Sequence, residues 1–135
     1  MSFENKLVII VNEKAEIGVA MNAVAHASLA LGATIKEKAM LTNYLDASNN
    51  VWPMSAMPYI VLKGKSGEIR KAVTAAKEAN ILQIAFTQSM TGGTYLEQIE
   101  NTAKIKEEEH VYYAAVLFGD CETVKQITKK LSLYK

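Results

Sequence analysis

Asn22 and His26 form the clearest arrangement in the sequence that can support proton transfer. The two residues are four positions apart, so on a helix their side chains lie on the same face. An imidazole exchanges a proton near neutral pH, which makes His26 a candidate catalytic residue and Asn22 a candidate ligand contact. The same spacing fits a buried histidine whose ring is satisfied by Asn22 or by a backbone carbonyl.

Polar residues that follow two predicted strands form a second candidate site. In open α/β sheets, ligands bind outside the carboxyl ends of parallel strands, so both groups share one edge if their strands are parallel. We expect a threonine here to accompany His26 in any catalysis and the other residues to contact a ligand. Two ordinary polar turns explain the same pattern. The residues are Asn12 and Lys14 after the first strand, and Thr87 and Gln88 after the third.

The start of the first predicted helix adds an anion-binding element to this edge. Backbone amides at Gly18 and Val19 have no helical partner at such a position, and Lys14 supplies a positive charge nearby. The expected ligand is therefore a small, anionic molecule. The sequence has no Walker-type or dinucleotide-binding glycine pattern and no ligand spacing typical of a metal site, so we predict neither a cofactor nor a metal.

Hydrophobic patterning predicts the elements that position these residues. The unbroken aliphatic run of residues 7–11 is typical of a strand covered on both faces. The helix that follows is rich in alanine, begins near Gly18 and ends at Gly32, a residue type that often terminates helices. The other predicted strands are residues 59–62, 81–86 and 111–118, and further helices follow Ser66, Thr94 and Asp120. Thr94 with Glu97 forms a capping-box pattern, and the last helix is predicted to continue to Leu131 on its inner face.

This alternation of strands and helices predicts an α/β fold. We expect a single domain over residues 1–135, a three-layer α/β/α sandwich around a mixed, largely parallel four-stranded sheet. Residues 40–57 contain the only tryptophan and many turn-forming residues, and are predicted to be a long loop. His110 follows an acidic run and is predicted to lie on the surface.

Composition restricts the class of protein further. The formal net charge of +1 gives no support for dominant electrostatic binding to nucleic acid or membrane, although lysines near the C-terminus can contact RNA or simply aid solubility. Cys121 is the only cysteine, which fits a reducing compartment. The N-terminal aliphatic run is too short for a membrane span or signal peptide, so we expect a cytoplasmic protein with no membrane partner.

Two strings in the sequence are similar to the type II peptidyl-tRNA hydrolase family. Residues 18–27, GVAMNAVAHA, keep the spacing of that family's Gly-Lys-x-Ala-Ala-Gln-x-x-His-Ala helix, and the segment from Val111 to the C-terminus is similar to its last strand and closing helix. The resemblance implies that family's fold. It also raises the expectation of an RNA contact and places His26 on the helix that carries the family's catalytic lysine.

The departures from that family concern the residues that carry its chemistry. The lysine regarded as catalytic falls on Val19, whose aliphatic side chain donates no hydrogen bond. The aspartate at the end of the third strand is also absent, because Thr87 and Gln88 follow Phe86 there. The closer likeness is to an uncharacterised branch of proteins sharing this fold.

Three functions remain open at this point. The leading one is a small-ligand-binding or regulatory module without the usual hydrolase activity. A peptidyl-tRNA or related ester hydrolase with a changed catalytic set, His26 and Thr87, is the enzyme alternative. The third is a structural homodimer that uses the helix face around His26 and Ala30 as its interface, and a homodimer is expected in any case.

Overall fold

A computed structural model describes residues 3–135. Its strands and helices alternate for most of the chain. The strands are β1 (Asn5–Asn12), β2 (Leu41–Leu45), β3 (Val51–Ser55), β4 (Tyr59–Gly64), β5 (Leu82–Thr87), β6 (Tyr112–Asp120) and β7 (Ser132–Leu133). The α-helices are α1 (Ile17–Ile35), α2 (Ser66–Glu78), α3 (Tyr95–Ala103) and α4 (Cys121–Thr128).

The main sheet has five strands in the order β5-β6-β1-β4-β7. β1 pairs with β4 in parallel, whereas the ladders of β6 with β1, β5 with β6, and β7 with β4 are antiparallel. The prediction of an α/β fold with a mixed sheet is confirmed. The predicted four-stranded, largely parallel sheet is wrong, because β7 adds an edge strand and β6 runs against its neighbours. β1, β4 and β5 nevertheless share one direction, so their carboxyl ends lie at the same edge.

One face of this sheet packs against α1. Odd-numbered residues of β1 point toward this helix. The helix packs against them through a stripe of small side chains, which lets its axis lie close to the sheet. This stripe explains why the sequence of α1 is so rich in alanine. The buried residues of this half of the core include Leu7, Ile9, Val11, Ala20, Ala23, Ala27, Leu31, Phe86 and Val116.

The other face packs against α2 and α4. Even-numbered residues of β1 point this way, as the period of two in a strand requires. Ile69 of α2 and Val124 of α4 are fully buried there. Because β1 is covered on both faces, its side chains from Leu7 to Val11 are all buried, which confirms the prediction made from the aliphatic run.

Two predicted helix ends are wrong. α1 continues through Gly32 to Ile35 because no left-handed residue follows until Lys36, where φ is 51°. α4 ends at Thr128 rather than near Leu131, and the chain then turns so that β7 pairs with β4. Gly32 lies inside α1, and the sequence alone does not show that this glycine continues the helix rather than ending it.

Residues 40–57, predicted to be a loop, contain a β-hairpin. β2 and β3 pair as a separate two-stranded antiparallel sheet, in which Tyr44 lies opposite Trp52 and Leu45 opposite Val51. Turn-forming residues caused the wrong prediction. Most of them lie at the tip, where Asp46 accepts hydrogen bonds from the backbone of Ser48 and Asn50, but Asn43 and Pro53 lie within the strands. We call residues 41–55 the arm.

By length and composition alone, residues 17–39 meet the criterion for a membrane-spanning helix, with a mean hydropathy of 1.3. The core helix of a folded domain can meet the same criterion. Only 22% of the apolar window is buried in the structure, so the contact of α1 with the sheet accounts for part of its apolar character. Ile17, Met21 and Leu29 of α1 are exposed.

Candidate functional site

An apolar cleft lies between α1 and the β4–β7 side of the sheet. α1 covers β1, β5 and β6 but leaves β4 open, so Val61 of β4 is 37% exposed. The cleft has a volume of about 310 Å³. Its lining residues are Val11, Ile17, Ala20, Met21, Val24, Ala25, Val61 and Tyr134. Only Tyr134 among them carries a polar side-chain group, so the walls favour an apolar occupant.

A hydrogen bond joins α1 to β4 on the side of the cleft away from the start of α1. The hydroxyls of Ser28 and Tyr59 lie 2.8 Å apart. Burial raises the pKa of Tyr59 above its usual value, and the hydrogen bond to Ser28 opposes this shift. Either hydroxyl can be the donor in this hydrogen bond.

The first turn of α1 marks the other side of the cleft. Glu16 occupies the N-cap position, but its side chain accepts no capping hydrogen bond, and the first turn of the helix contains no acidic residue. Ile17 of this turn lines the cleft. The positive end of the helix dipole and the amides of Gly18 and Val19 therefore lie beside an apolar space.

Lys63 adds a positive charge on the same face. It is the register partner of Val11 in the parallel ladder, so its side chain leaves the sheet on the α1 side, beside a lining residue of the cleft. Lys63 forms no ion pair within residues 3–135. Sequence reasoning missed Lys63 because only the pairing of β4 with β1 shows which side chains share a face.

Asn12 and Thr87, predicted to lie at one edge of the sheet, do so, but their side chains serve local structure. The Asn12 amide donates to the carbonyl of Tyr112 at 2.8 Å, and its side-chain oxygen accepts from the backbone of Lys14. Thr87 is buried, and its hydroxyl lies 2.8 Å from that of Ser89. Ser89 in turn lies 2.8 Å from the Thr102 hydroxyl, which ties the end of β5 to α3.

The remaining predicted site residues are exposed at two places. Lys14 and Gln88 are exposed after β1 and β5. Asn22 and His26 are exposed on the flank of α1 that faces β5, and the His26 ring stacks on Phe86. This flank is opposite the one that meets β4, so the structure does not bring Asn22 and His26 to the cleft.

A polar cluster that the sequence analysis missed lies at the same edge of the sheet, on the α2 side. Arg70 Nε lies 3.5 Å from a carboxylate oxygen of Glu107, and the Tyr112 hydroxyl donates to the other oxygen at 2.9 Å. Arg70 also donates to the carbonyl of His110 and lies over the Tyr112 ring, with its Cζ 5.4 Å from the ring centroid. This cluster joins α2 to the start of β6.

His110 belongs to this cluster rather than to the open surface. Its Nδ1 is buried and has no hydrogen-bond partner within the described residues, and its ring meets that of Tyr112 edge-on at 6.0 Å. The prediction of a surface histidine is therefore wrong for the ring nitrogen. Arg70 is the only arginine in a chain rich in lysine. Because a planar guanidinium can bond several partners at once, this single arginine was the one signal in the sequence for such a cluster.

Fold and site together define a mixed α/β domain whose open flank is an apolar cleft bordered by a helix N-terminus. The family model described as "Protein of unknown function (DUF2000)" matches residues 5–135, and the chain belongs to that family. A solved protein of unknown function from Agrobacterium tumefaciens is similar in fold, with a TM-score of 0.89 at 20% identity. That alignment covers 99% of this chain and 100% of the other. No curated protein matches.

Neither match names a peptidyl-tRNA hydrolase. The fold of the Agrobacterium protein agrees with the mixed sheet described above, and at 20% identity the comparison concerns the fold alone. The family's description assigns no function. The predicted likeness to type II peptidyl-tRNA hydrolase therefore stays a prediction.

Proposed function

We propose that this protein is a small-ligand-binding domain and that the cleft between α1 and β4 holds the ligand. The observation that carries the proposal is an open cleft whose walls are aliphatic or aromatic except for the hydroxyl of Tyr134. Soluble domains cover most of such surface, and a concave apolar space with a few polar groups at its margin is the usual form of a ligand site.

The polar groups at the margin of the cleft, its outer edge, indicate the class of ligand. Uncapped amides at the start of α1 and the unpaired ammonium of Lys63 favour an anionic group, and the aliphatic walls favour an apolar body. A water molecule occupies about 30 Å³ in the liquid, so the cleft holds on the order of ten non-hydrogen atoms. The proposed ligand is therefore a short aliphatic or monocyclic carboxylate.

The proposal includes no hydrolysis. Val19 has no group that can stabilise an oxyanion through its side chain, and the Thr87 hydroxyl is buried in its pairing with Ser89. His26 contacts Phe86 and has no carboxylate partner within residues 3–135. We expect no cleavage of peptidyl-tRNA under conditions in which an authentic type II enzyme is active, and clear turnover would favour the enzyme alternative instead.

The test of binding is a titration of the full chain with three unbranched six-carbon probes. Hexanoate, hexanol and hexylammonium are similar in length and differ mainly in the charge of the head group, and calorimetry or amide chemical shifts report their binding. We expect the order hexanoate, then hexanol, then hexylammonium, with shifts at residues of the cleft such as Val24 and Val61. Absence of binding by all three contradicts the proposal, and equal binding of hexanoate and hexylammonium contradicts the predicted role of the positive margin.

A variant that fills the cleft separates specific binding from general apolar adsorption. Val61→Phe adds a ring in the cleft at a site that is 37% exposed, so it leaves the buried core unchanged. Val111→Phe is the matched control, because Val111 is 38% exposed and does not line the cleft. We expect binding to be lost in Val61→Phe and retained in Val111→Phe. Retention in both places the ligand elsewhere.

A further inference from the structure

The arm exposes apolar side chains on both of its faces. Its larger apolar residues are between 50% and 67% exposed, and β2 and β3 contact mainly each other. A two-stranded sheet with neither face covered is marginal in water. The exposed residues are Leu41, Tyr44, Leu45, Val51, Trp52 and Met54.

The register of the hairpin shows which backbone groups face outward. The Ala56 amide donates to the Met40 carbonyl at 2.9 Å, and the Asp46 amide donates to the Asn50 carbonyl at 3.1 Å. Hydrogen-bonded and non-hydrogen-bonded pairs alternate in an antiparallel ladder, so the Asn43–Pro53 pair is non-hydrogen-bonded. The backbone of odd-numbered residues in both strands therefore points away from the hairpin.

The two outer edges of the arm differ. On β3, the outward position at the centre is Pro53, which has no amide hydrogen, so this edge cannot form a continuous ladder. On β2, the outward positions are Leu41, Asn43 and Leu45, which include no proline and no charge. None of the three has a backbone hydrogen-bond partner outside the arm within residues 3–135. The β2 edge is therefore an open template for another strand.

We propose that the β2 edge pairs with the β2 edge of a second copy of this chain. An antiparallel pairing about a two-fold axis at Asn43 places Leu41 of each copy opposite Leu45 of the other, so all outward groups of β2 become paired. The result is a continuous four-stranded sheet. Leu45 then has an apolar cross-strand neighbour on each side, Val51 in its own arm and Leu41 in the arm of the other copy.

Charge and the exposure of the edge favour a second copy as the occupant. Asp46 is the only charged residue of the arm, and the axis at Asn43 places it opposite Met40 of the other copy, so no like charges meet. The absence of lysine and arginine from the arm argues against an anionic membrane surface. The paired edge covers Leu41 and Leu45, which are 67% and 66% exposed in the single chain.

The test is sedimentation velocity of the full chain over a range of concentrations, with variants on the two edges. Asn43→Pro removes the central outward amide of β2 and leaves the bonds of the hairpin intact. Leu45→Lys adds a charge next to the β2 edge, and Val51→Lys is its matched control, because Val51 is the cross-strand partner of Leu45 on β3. Circular dichroism verifies that each variant folds.

We expect a dimer whose dissociation constant rises at least about tenfold in Asn43→Pro and Leu45→Lys and much less in Val51→Lys. Trp52, the only tryptophan, lies on β3 away from the paired edge, so its emission should change little as the dimer forms. A monomer at all concentrations overturns the proposal. A dimer that is insensitive to the β2 variants also overturns the proposal. That result would favour the interface predicted from the sequence, the α1 face around His26 and Ala30. Binding of the monomer to phosphatidylcholine vesicles, with a shift of Trp52 emission to shorter wavelength, also overturns the proposal, because it shows that a membrane covers the faces of the arm.

Discussion

The imidazole of His26 stacks on the phenyl ring of Phe86, with ring centroids 5.4 Å apart and an angle of 23° between the planes. His26 is exposed on α1, whereas Phe86 is buried near the end of β5. The histidine therefore covers the outer edge of the core on this flank. Thr87, the other residue of the predicted catalytic pair, forms a hydrogen bond with Ser89 instead.

His26→Ala should lower the free energy of unfolding by about 1 kcal/mol, because the Phe86 ring loses its stacking partner and meets water. Asn22→Ala is the matched control, since Asn22 is exposed one turn earlier and its side chain makes no hydrogen bond within residues 3–135. Its effect should be within about 0.5 kcal/mol. Urea denaturation of the three proteins measures both values, and equal stability of the two variants would show that the stack contributes nothing.

Lys63→Met should weaken hexanoate binding roughly threefold, since a partly exposed ion pair contributes less than about 1 kcal/mol. Binding of hexanol, which carries no charge, should be unchanged. Lys65→Met removes an exposed lysine two residues later and serves as the control. Calorimetry of the three proteins with both probes tests this prediction, and an equal loss for hexanol would assign Lys63 a structural role.

Alkaline pH should destabilise the protein through Tyr112. Burial, followed by the hydrogen bond to Glu107 and its charge, raises the pKa of Tyr112 from 10.0 to about 12, and the Arg70 charge opposes the shift. The folded chain holds this proton more tightly, so the contribution is complete below pH 10 and is lost as the pH rises toward about 12. Urea denaturation across this range should show a falling free energy of unfolding, and the slope should be smaller in Tyr112→Phe.

Acid should weaken the cap of α4. The Asp120 carboxylate accepts hydrogen bonds from the Thr123 hydroxyl at 2.8 Å and amide at 3.0 Å, which lowers the pKa of Asp120 below 3.8. Its contribution to stability is present above pH 3.8 and is lost as the pH falls through the lowered value. Asp120→Ala should reduce the thermal midpoint at neutral pH by a few degrees and flatten this acid dependence.

Asp46→Ala is a useful comparison for the Asp120 variant. Hydrogen bonds from Asn50 and Ser48 lower the pKa of Asp46 in the same way, but they hold only the tip of the arm. Because the arm contacts the rest of the chain little, the thermal midpoint at low protein concentration should barely change. A loss as large as that of Asp120→Ala would mean that the arm folds cooperatively with the main sheet.

The sequence predicted best where one local pattern decides the outcome. The aliphatic run of β1 indicates burial on both faces, and the Thr94 capping box is present at the start of α3 as predicted. Pairing is not local, so neither the reversed direction of β6 nor the addition of β7 was visible. The two residues of β7 carry no pattern of their own.

The candidate site was predictable in part for the same reason. The edge that carries Asn12 and Thr87 follows from two strand ends, and their shared edge is observed. The cleft was missed because it depends on which strands α1 leaves uncovered. Lys63 and Tyr134 approach it from segments far apart in sequence, and only the pairing of β4 with β1 and β7 puts them on one face.

The arm begins and ends at one point of the chain, since the Met40 carbonyl and the Ala56 amide are joined by a 2.9 Å hydrogen bond. Loop closure costs rise only slowly with the length of the closed segment, so residues inserted at such a point add little to the cost of forming the β1–α1–β4 crossover. A change in the length of the arm should therefore have little effect on the free energy of folding of the main sheet.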